Sequence, residues 1–261
     1  MKEVAQADDA GEAGEGALLL DPGLYVVGTP IGNLRDITLR ALDVLRSATL
    51  ILSEDTRHTR KLLSRYDIRT PMTSCHRFNE ASRIDLIVRK ITGEQASLAL
   101  VSDAGMPGIA DPGARVVSAC REQGIKVEVI PGPSSLSAAM ALSGYGGAGF
   151  LFEGFLPHKS GARARRLAEL ASWPAPVVFF ESPHRIEKLM GEIEVAMQTR
   201  EVFVVKEITK LFERSFSGSA GEVAEQLRAA STKGEFVVVL GPGPPPPKVR
   251  ASRRARAIDT P

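Results

Sequence analysis

The chain is poor in cysteine, with only Cys75 and Cys120 among 261 residues. Two thiols exclude a disulfide framework and a cysteine-built metal cluster. Cys120 falls in an apolar helical pattern and reads as a small buried hydrophobe of a protein in reducing cytosol. No apolar run approaches the roughly 20 residues of a membrane span. The acidic beginning lacks the apolar core of a secretory leader, so a cytoplasmic protein with no membrane partner is expected. The four histidines, His58, His76, His158 and His184, include no i, i+4 pair, and HExxH is absent, so no metal site is expected. No GxSxG elbow occurs, and Cys75 has no catalytic partners around it in sequence. Charge of one sign is also lacking: the formal net charge is +2, which names no partner.

What is present is an ordinary globular composition, 43% apolar and 25% charged. Charge is concentrated at the ends. Residues 1–21 hold one Lys against six Asp or Glu, and residues 242–261 hold five Lys or Arg against one Asp. Both ends read as disordered tails, 1–22 acidic and 242–261 proline-rich and basic.

Between them the pattern is strand, turn, helix, repeated. Leu24 to Val27 is an apolar strand ending at Gly28-Thr29-Pro30-Ile31-Gly32-Asn33. Ile37, Ala41, Val44 and Leu45 then follow helical spacing, with Asp36 as the cap. Leu50 to Leu52 ends at Ser53-Glu54-Asp55-Thr56-Arg57-His58, which opens a basic helix through Leu62 and Leu63. His76-Arg77-Phe78-Asn79-Glu80 precedes a helix carrying Ile84, Ile87 and Ile91, and Asn79 there is either a substrate contact or a helix cap. Leu98 to Val101 runs into the most distinctive stretch, Ser102-Asp103-Ala104-Gly105-Met106-Pro107-Gly108-Ile109-Ala110-Asp111-Pro112-Gly113. Asp111 and Pro112 are expected to open the next helix. Val127 to Ile130 ends at Pro131-Gly132-Pro133-Ser134-Ser135. This βαβ series predicts a parallel sheet over 23–143. A glycine-rich linker at 144–149 and a second α/β domain at 150–241 follow.

The three Gly/Pro/Ser turns of the first half lie where open α/β sheets bind ligands. None matches the GxGxxG fingerprint or the GxxxxGK[ST] loop, and none contains a lysine for a triphosphate. They suit a ligand held by backbone groups and a few hydroxyls, such as a nucleoside or an adenosyl amino acid; tight turns without a ligand are the alternative. In the second half charged groups gather at strand ends: Glu153, Glu181 with Arg185, and Lys206, Glu207 and Lys210. Lys159, Arg163, Arg165 and Arg166 form a basic cluster, read either as a solvated helix or as a contact to a phosphate backbone. Only Phe155 and Trp173 lie near it for stacking.

Eight motifs in order then resemble a known family. They are Thr29-Pro30-Ile31-Gly32-Asn33-Leu34, Ser53-Glu54-Asp55-Thr56-Arg57, Ser102-Asp103-Ala104-Gly105, Asp111-Pro112-Gly113, Pro131-Gly132-Pro133-Ser134, Glu153-Gly154-Phe155-Leu156-Pro157, Glu181-Ser182-Pro183-His184-Arg185 and Lys206-Glu207-Ile208-Thr209-Lys210. Together they resemble the bacterial 16S rRNA cytidine 2′-O-methyltransferases of the decoding centre, within the tetrapyrrole methylase superfamily. The resemblance implies a two-domain α/β fold, with an N-terminal parallel sheet and a C-terminal mixed α/β domain. It also implies a homodimer, S-adenosylmethionine in the cleft between domains, and methyl transfer to a ribose of 16S rRNA in the small ribosomal subunit, at cytidine 1402. It assigns the cofactor to Thr29, Pro30, Ser102, Asp103, Ala104, Gly105, Gly108, Ile109, Ser134, Ser135, Phe155, Leu156 and Gly234. Substrate contacts are expected from Glu54, Asp55, Arg57, His76, Asn79, Glu80, Lys159, Arg163 and Arg185.

Transfer to a ribose hydroxyl needs a base. Glu54, Asp55, Glu80, Glu181 and Glu207 are candidates, with Lys206 or Lys210 as electrostatic helpers. Glu181 and Glu207 are favoured because both sit at strand ends of the second domain, with Lys210 as the catalytic helper. The chain departs from the family pattern at Met106, where threonine is usual, and in the glycine-rich linker. Arg77 and Phe78 fill the variable middle of an HxxNE pattern and carry no assigned role. The competing functions are a methyltransferase of this fold acting on a tetrapyrrole or a protein side chain, and a non-catalytic RNA-binding assembly factor.

Overall fold

The computed structural model describes residues 18–147 and 149–243. Most of the two tails read from the sequence, 1–17 and 244–261, lies outside the described residues. The chain divides into two compact units, the first ending at Ser134 and the second starting at Ser135. Among the described residues no helix is long and apolar enough to cross a membrane.

The first unit contains β1 (Gly23–Val27), α1 (Leu39–Ser47), β2 (Leu50–Ser53), α2 (Thr56–Arg65), β3 (Met72–Ser74), α3 (Glu80–Gly93), β4 (Ser97–Val101), α4 (Ala114–Glu122) and β5 (Val127–Ile130). The strands form one parallel sheet in the order β3-β2-β4-β1-β5. β1 and β4 are buried along their whole length, which is why they read as unbroken apolar runs instead of alternating ones. The alternation survives in what each residue packs against. Tyr25, Val27, Ala99 and Val101 face α1 and α2, whereas Leu24, Val26, Leu98 and Leu100 face α3 and α4.

Two helix starts differ from expectation. Thr38, not Asp36, caps α1: its hydroxyl accepts the Ala41 N–H at 3.2 Å. Asp36 closes a 3-10 turn ahead of it. α4 starts at Ala114 behind Gly113, whose φ of +127° suits glycine. Asp111 therefore lies outside that helix. β3 carries no strand signal in the sequence. Its three half-buried residues are too few for a periodic signal, and pairing with β2 in the register Ile51↔Met72 to Ser53↔Ser74 makes it a strand.

The second unit contains α5 (Ser135–Ser143), β6 (Leu151–Phe155), α6 (Ser160–Ala171), β7 (Val177–Glu181), α7 (Ile186–Ala196), β8 (Val202–Lys206), β9 (Arg214–Gly218), α8 (Ala220–Arg228) and β10 (Phe236–Leu240). Its sheet is mixed, in the order β6-β7-β10-β8-β9, with β6 parallel to β7 and the remaining pairs antiparallel. Phe179, Phe236, Leu167, Leu189 and Leu227 centre its core. α5 lies against β7, β8 and β10 and buries Ala139 and Met140. The division between units accordingly precedes α5, whereas the sequence reading placed it in the glycine-rich stretch after that helix. β9 and α8 were not anticipated.

Candidate functional site

The turns at the carboxyl ends of the first unit's strands are locked to one another. Thr29 N–H donates to Gly105 O at 2.9 Å, and Gly105 N–H donates back to Thr29 O at 3.1 Å. The buried Thr29 hydroxyl donates to Ser102 O at 3.2 Å. A Cβ added to Gly28 would lie 2.6 Å from Met106 Sδ and 2.7 Å from the Gly132 backbone. The β1, β4 and β5 turns thus touch through two glycines and form one floor. Gly105 and Gly108, at φ +79° and +81°, supply the left-handed backbone that this path requires. Asp55 N–H donates to Asp103 Oδ1 at 3.0 Å, tying in the β2 turn. Cys75 N–H donates to Ser53 O at 2.7 Å, tying in the β3 turn. Glu80, buried at the start of α3, accepts the Gly113 N–H at 3.0 Å and faces Arg115 at 3.6 Å.

This edge is acidic. Burial raises the Glu54 carboxyl above its ordinary pKa, and the charges of Asp111, Asp103 and Asp55 raise it further against one backbone N–H. Burial likewise raises Asp111; Asp103 adds to that and the Ser102 hydroxyl opposes it. Asp55 is different. It holds the Arg57 side chain at 2.7 and 3.1 Å and caps α2 through the Arg57 N–H at 2.8 Å, and these bonds hold it well below the carboxylate range. At the β3 turn Asn79 accepts the His76 N–H at 2.7 Å and donates to Ser74, so it braces the turn and does not cap α3 with its side chain.

The candidates of the second unit are mostly engaged. Glu181 is 3% exposed and accepts the Ser182 N–H at 2.7 Å. Its Oε2 lies 3.1 Å from Arg185 Nη2 without hydrogen-bond geometry. Arg185 also reaches Leu156 O at 3.1 Å and His158 Nδ1 at 3.0 Å. Burial pushes the Glu207 pKa up, but the Glu235 N–H and the Lys210 ammonium outweigh it and leave the group below its usual value. Lys210 is shared between Glu207 at 3.0 Å and Glu235 at 2.7 Å. Lys206 is buried and donates to Ser231 O.

Arg163, expected either on a solvated helix or in contact with a phosphate backbone, is 4% exposed. It grips Glu192 at 2.5 and 2.8 Å and caps the Pro157 and His158 carbonyls. Arg166 is held by Glu153 and Glu169. Of the basic cluster only Lys159 and Arg165 are exposed. Leu156 is a core side chain with 1% exposure, Phe155 is exposed, and Gly234 packs so close to Glu207 that a Cβ would meet Glu207 Cγ at 2.6 Å.

Residues 23–224 match the model of the tetrapyrrole (corrin/porphyrin) methylases. The chain belongs to the tetrapyrrole methylase family. This methylase is 45% identical over 217 residues to the ribosomal RNA small subunit methyltransferase I of Thermotoga maritima, covering 83% of this chain and 97% of that one. It is 49% identical over 222 residues to the protein of the same name from Vibrio cholerae, covering 84% and 77% respectively. Among solved structures it is similar to the cobalamin biosynthetic enzyme cobalt precorrin-4 methyltransferase, with a TM-score of 0.60 and 16% identity over 84% of this chain and 94% of that one. It is also similar to uroporphyrin-III C-methyltransferase from Thermus thermophilus in complex with S-adenosyl homocysteine, with a TM-score of 0.58 and 21% identity over 84% and 97%. At those identities the structures establish the fold.

The methylase's first unit gathers most of the residues singled out by sequence. Thr29 and Pro30, Ser102 to Gly105, Gly108, Ile109, Glu54, Asp55, Arg57, His76, Asn79 and Glu80 all lie at or beside one sheet edge. Sequence reasoning missed Asp111 as part of the acidic group, because a helix-cap reading absorbed it. It also gave no role to the outer face of α2 or to Phe78. The signal for α2 was there: buried Thr59, Leu62 and Leu63 leave cations at 57, 60, 61 and 65 on the other face.

Proposed function

We propose that this methylase transfers the methyl group of S-adenosylmethionine to the 2′-oxygen of a cytidine ribose in 16S rRNA, cytidine 1402 of the small ribosomal subunit. The observation that carries the reading is the 45% identity that extends over 97% of the Thermotoga small-subunit methyltransferase. The donor set of the first unit fits the cofactor. Its three turns contain no lysine, and burial together with neighbouring carboxylate charge raises the proton affinity of Glu54 and Asp111. That potential suits a ligand bearing a sulfonium and an ammonium. Thr29, Ser102 to Gly105, Gly108 and Ile109 would hold it, largely through backbone groups.

When bound, the cofactor supplies an electrophilic methyl group on sulfur. The chain must hold the ribose oxygen in line and remove its proton. Glu54 suits the proton: it is half-buried, and its raised pKa makes its carboxylate a better base than Glu207, whose pKa is lowered by its partners. We infer that the methylase acts as a homodimer, with the Val129 side chain, 56% exposed, available for contact between copies. The cytoplasm is the compartment that supplies small subunits.

The test uses small subunits from a strain lacking this gene, incubated with the pure protein and S-adenosylmethionine. Ribose-methylation mapping is expected to show one new 2′-O-methylcytidine, and an unchanged map overturns the assignment.

A further inference from the structure

The basic cluster that the sequence offers for RNA, on α6, is largely neutralised by Glu192, Glu153 and Glu169. Cationic surface of a different kind lies on the first unit. α2 turns Arg57, His58, Arg60, Lys61 and Arg65 to solvent. Arg57 is tied to Asp55. Arg60, Lys61 and Arg65 take part in no ion pair among the described residues. No acidic residue lies within the helix to balance them.

At the sheet edge where this helix starts stands an aromatic ring with no packing role. Phe78 is 93% exposed. It sits in the turn after β3, next to the exposed Arg77, and the His76 ring stands edge-on to it at 6.2 Å. The turn itself is not loose: Asn79 holds the His76 N–H, and Asn79 N–H donates to His76 O at 2.9 Å. β2 and β3 are register partners, Ser53 opposite Ser74. Ser53 and Ser74, about 5 Å apart as strand neighbours, lead into the start of α2 and into the Phe78 turn, so both leave the sheet at the edge that carries the Glu54 turn.

A large exposed ring on a braced turn is a platform on which a base can stack. With three cations free of ion pairs on the helix that starts at the same edge, the matching chemistry is a planar base attached to phosphates. We propose that Phe78 and the outer face of α2 form the RNA-docking surface of the first unit, with Phe78 stacking on an unpaired base and Arg60, Lys61 and Arg65 holding the flanking phosphates. The inference rests on the rRNA reading above and adds the surface by which that substrate is held. Because the surface adjoins the Glu54 turn, it would deliver the strand to the edge where the proton is removed.

The experiment measures KM and kcat for methylation of small subunits from the deletion strain, and direct binding to those subunits across a salt series. For Phe78→Ala, loss of one stacked base is expected to raise KM by about 5- to 150-fold with kcat largely held. Phe78→Trp is expected to restore it. For the double change Arg60→Gln, Lys61→Gln, the slope of log K against log salt is expected to fall by about 1.4, the share of two single-strand phosphate contacts. Calorimetry with S-adenosyl homocysteine is expected to give wild-type affinity for all three variants, which shows that they are folded. Wild-type KM and salt slope in variants that bind the cofactor overturn this surface. A Phe78→Ala protein that loses mass in light scattering yet keeps its RNA affinity also overturns it, and makes the ring a protein contact. Failure of the wild-type protein to methylate subunits overturns the functional reading instead, so the two failures are distinct.

Discussion

Glu54 carries the strongest residue-scale argument. Burial comes first among the causes of its raised pKa, and the negative charges of Asp111, Asp103 and Asp55 follow. A general base works only when deprotonated, so the rate is expected to fall as pH drops through that raised value and to stay level above it. Asp55 cannot serve in the same way, because Arg57 pins both of its oxygens and lowers its pKa. Glu54→Gln keeps the shape and removes the basicity. Its kcat is expected to fall by about 100-fold or more, with the acid limb of the pH profile gone and S-adenosyl homocysteine still bound. A Glu54→Gln protein with wild-type kcat and the same acid limb would assign the proton to another group. The fate of Arg163 shows the reverse case, in which a residue's neighbours remove it from function. Its partner Glu192 lies 29 positions away on α7, and nothing in the local spacing of Lys159 to Arg166 announces that pairing.

At the scale of elements, the turns after β1, β4 and β5 work as one body because Gly28 and Gly132 let their backbones meet. A Cβ on Gly132 would lie 2.8 Å from the Gly28 backbone, which has no side chain to swing aside. Overpacking of this kind costs about 1–3 kcal/mol. If the cost falls on the binding-competent arrangement, Gly132→Ala weakens S-adenosyl homocysteine by about 5- to 150-fold in calorimetry. Gly161→Ala is the control, since nothing lies within 4 Å of that position, and its affinity is expected to match wild type. The turns themselves were legible, because each combines an apolar run with a Gly/Pro break. So were the parallel sheet and the apolar strands of both units. β9 was not, because one buried residue, Phe216, in Arg214–Gly218 gives no alternation to read. α8 carried a readable sign that went unused: Ser219 and Glu222 form a capping box. The start of α4 was misplaced because Asp111-Pro112 has the composition of a helix opening. The Glu80 carboxylate instead takes the Gly113 N–H from another element, a long-range bond that local sequence does not encode.

At the scale of the whole molecule, the two units have separate sheets and separate cores, and the chain places one reporter in each. Both cysteines lie in the first unit's core, Cys75 after β3 and Cys120 on α4, and burial pushes their thiols up to about 11. At neutral pH they are buried thiols with little thiolate, so a thiol reagent is expected to modify neither until the first unit opens. The single tryptophan, Trp173, belongs to the second unit and is 43% exposed. A urea titration followed by thiol labelling and by tryptophan emission therefore reads the two units independently. S-adenosyl homocysteine at 100 times its Kd stabilises the state it binds by about 2.7 kcal/mol. Because the acidic edge and its three turns belong to the first unit, the thiol-labelling midpoint is expected to move to higher urea when the ligand is added. A tryptophan midpoint that moves by the same amount shows that the ligand couples the two units. One that stays in place shows that the first unit alone carries the binding energy. If the ligand binds in calorimetry but leaves the thiol midpoint unchanged, the cofactor site does not belong to these turns.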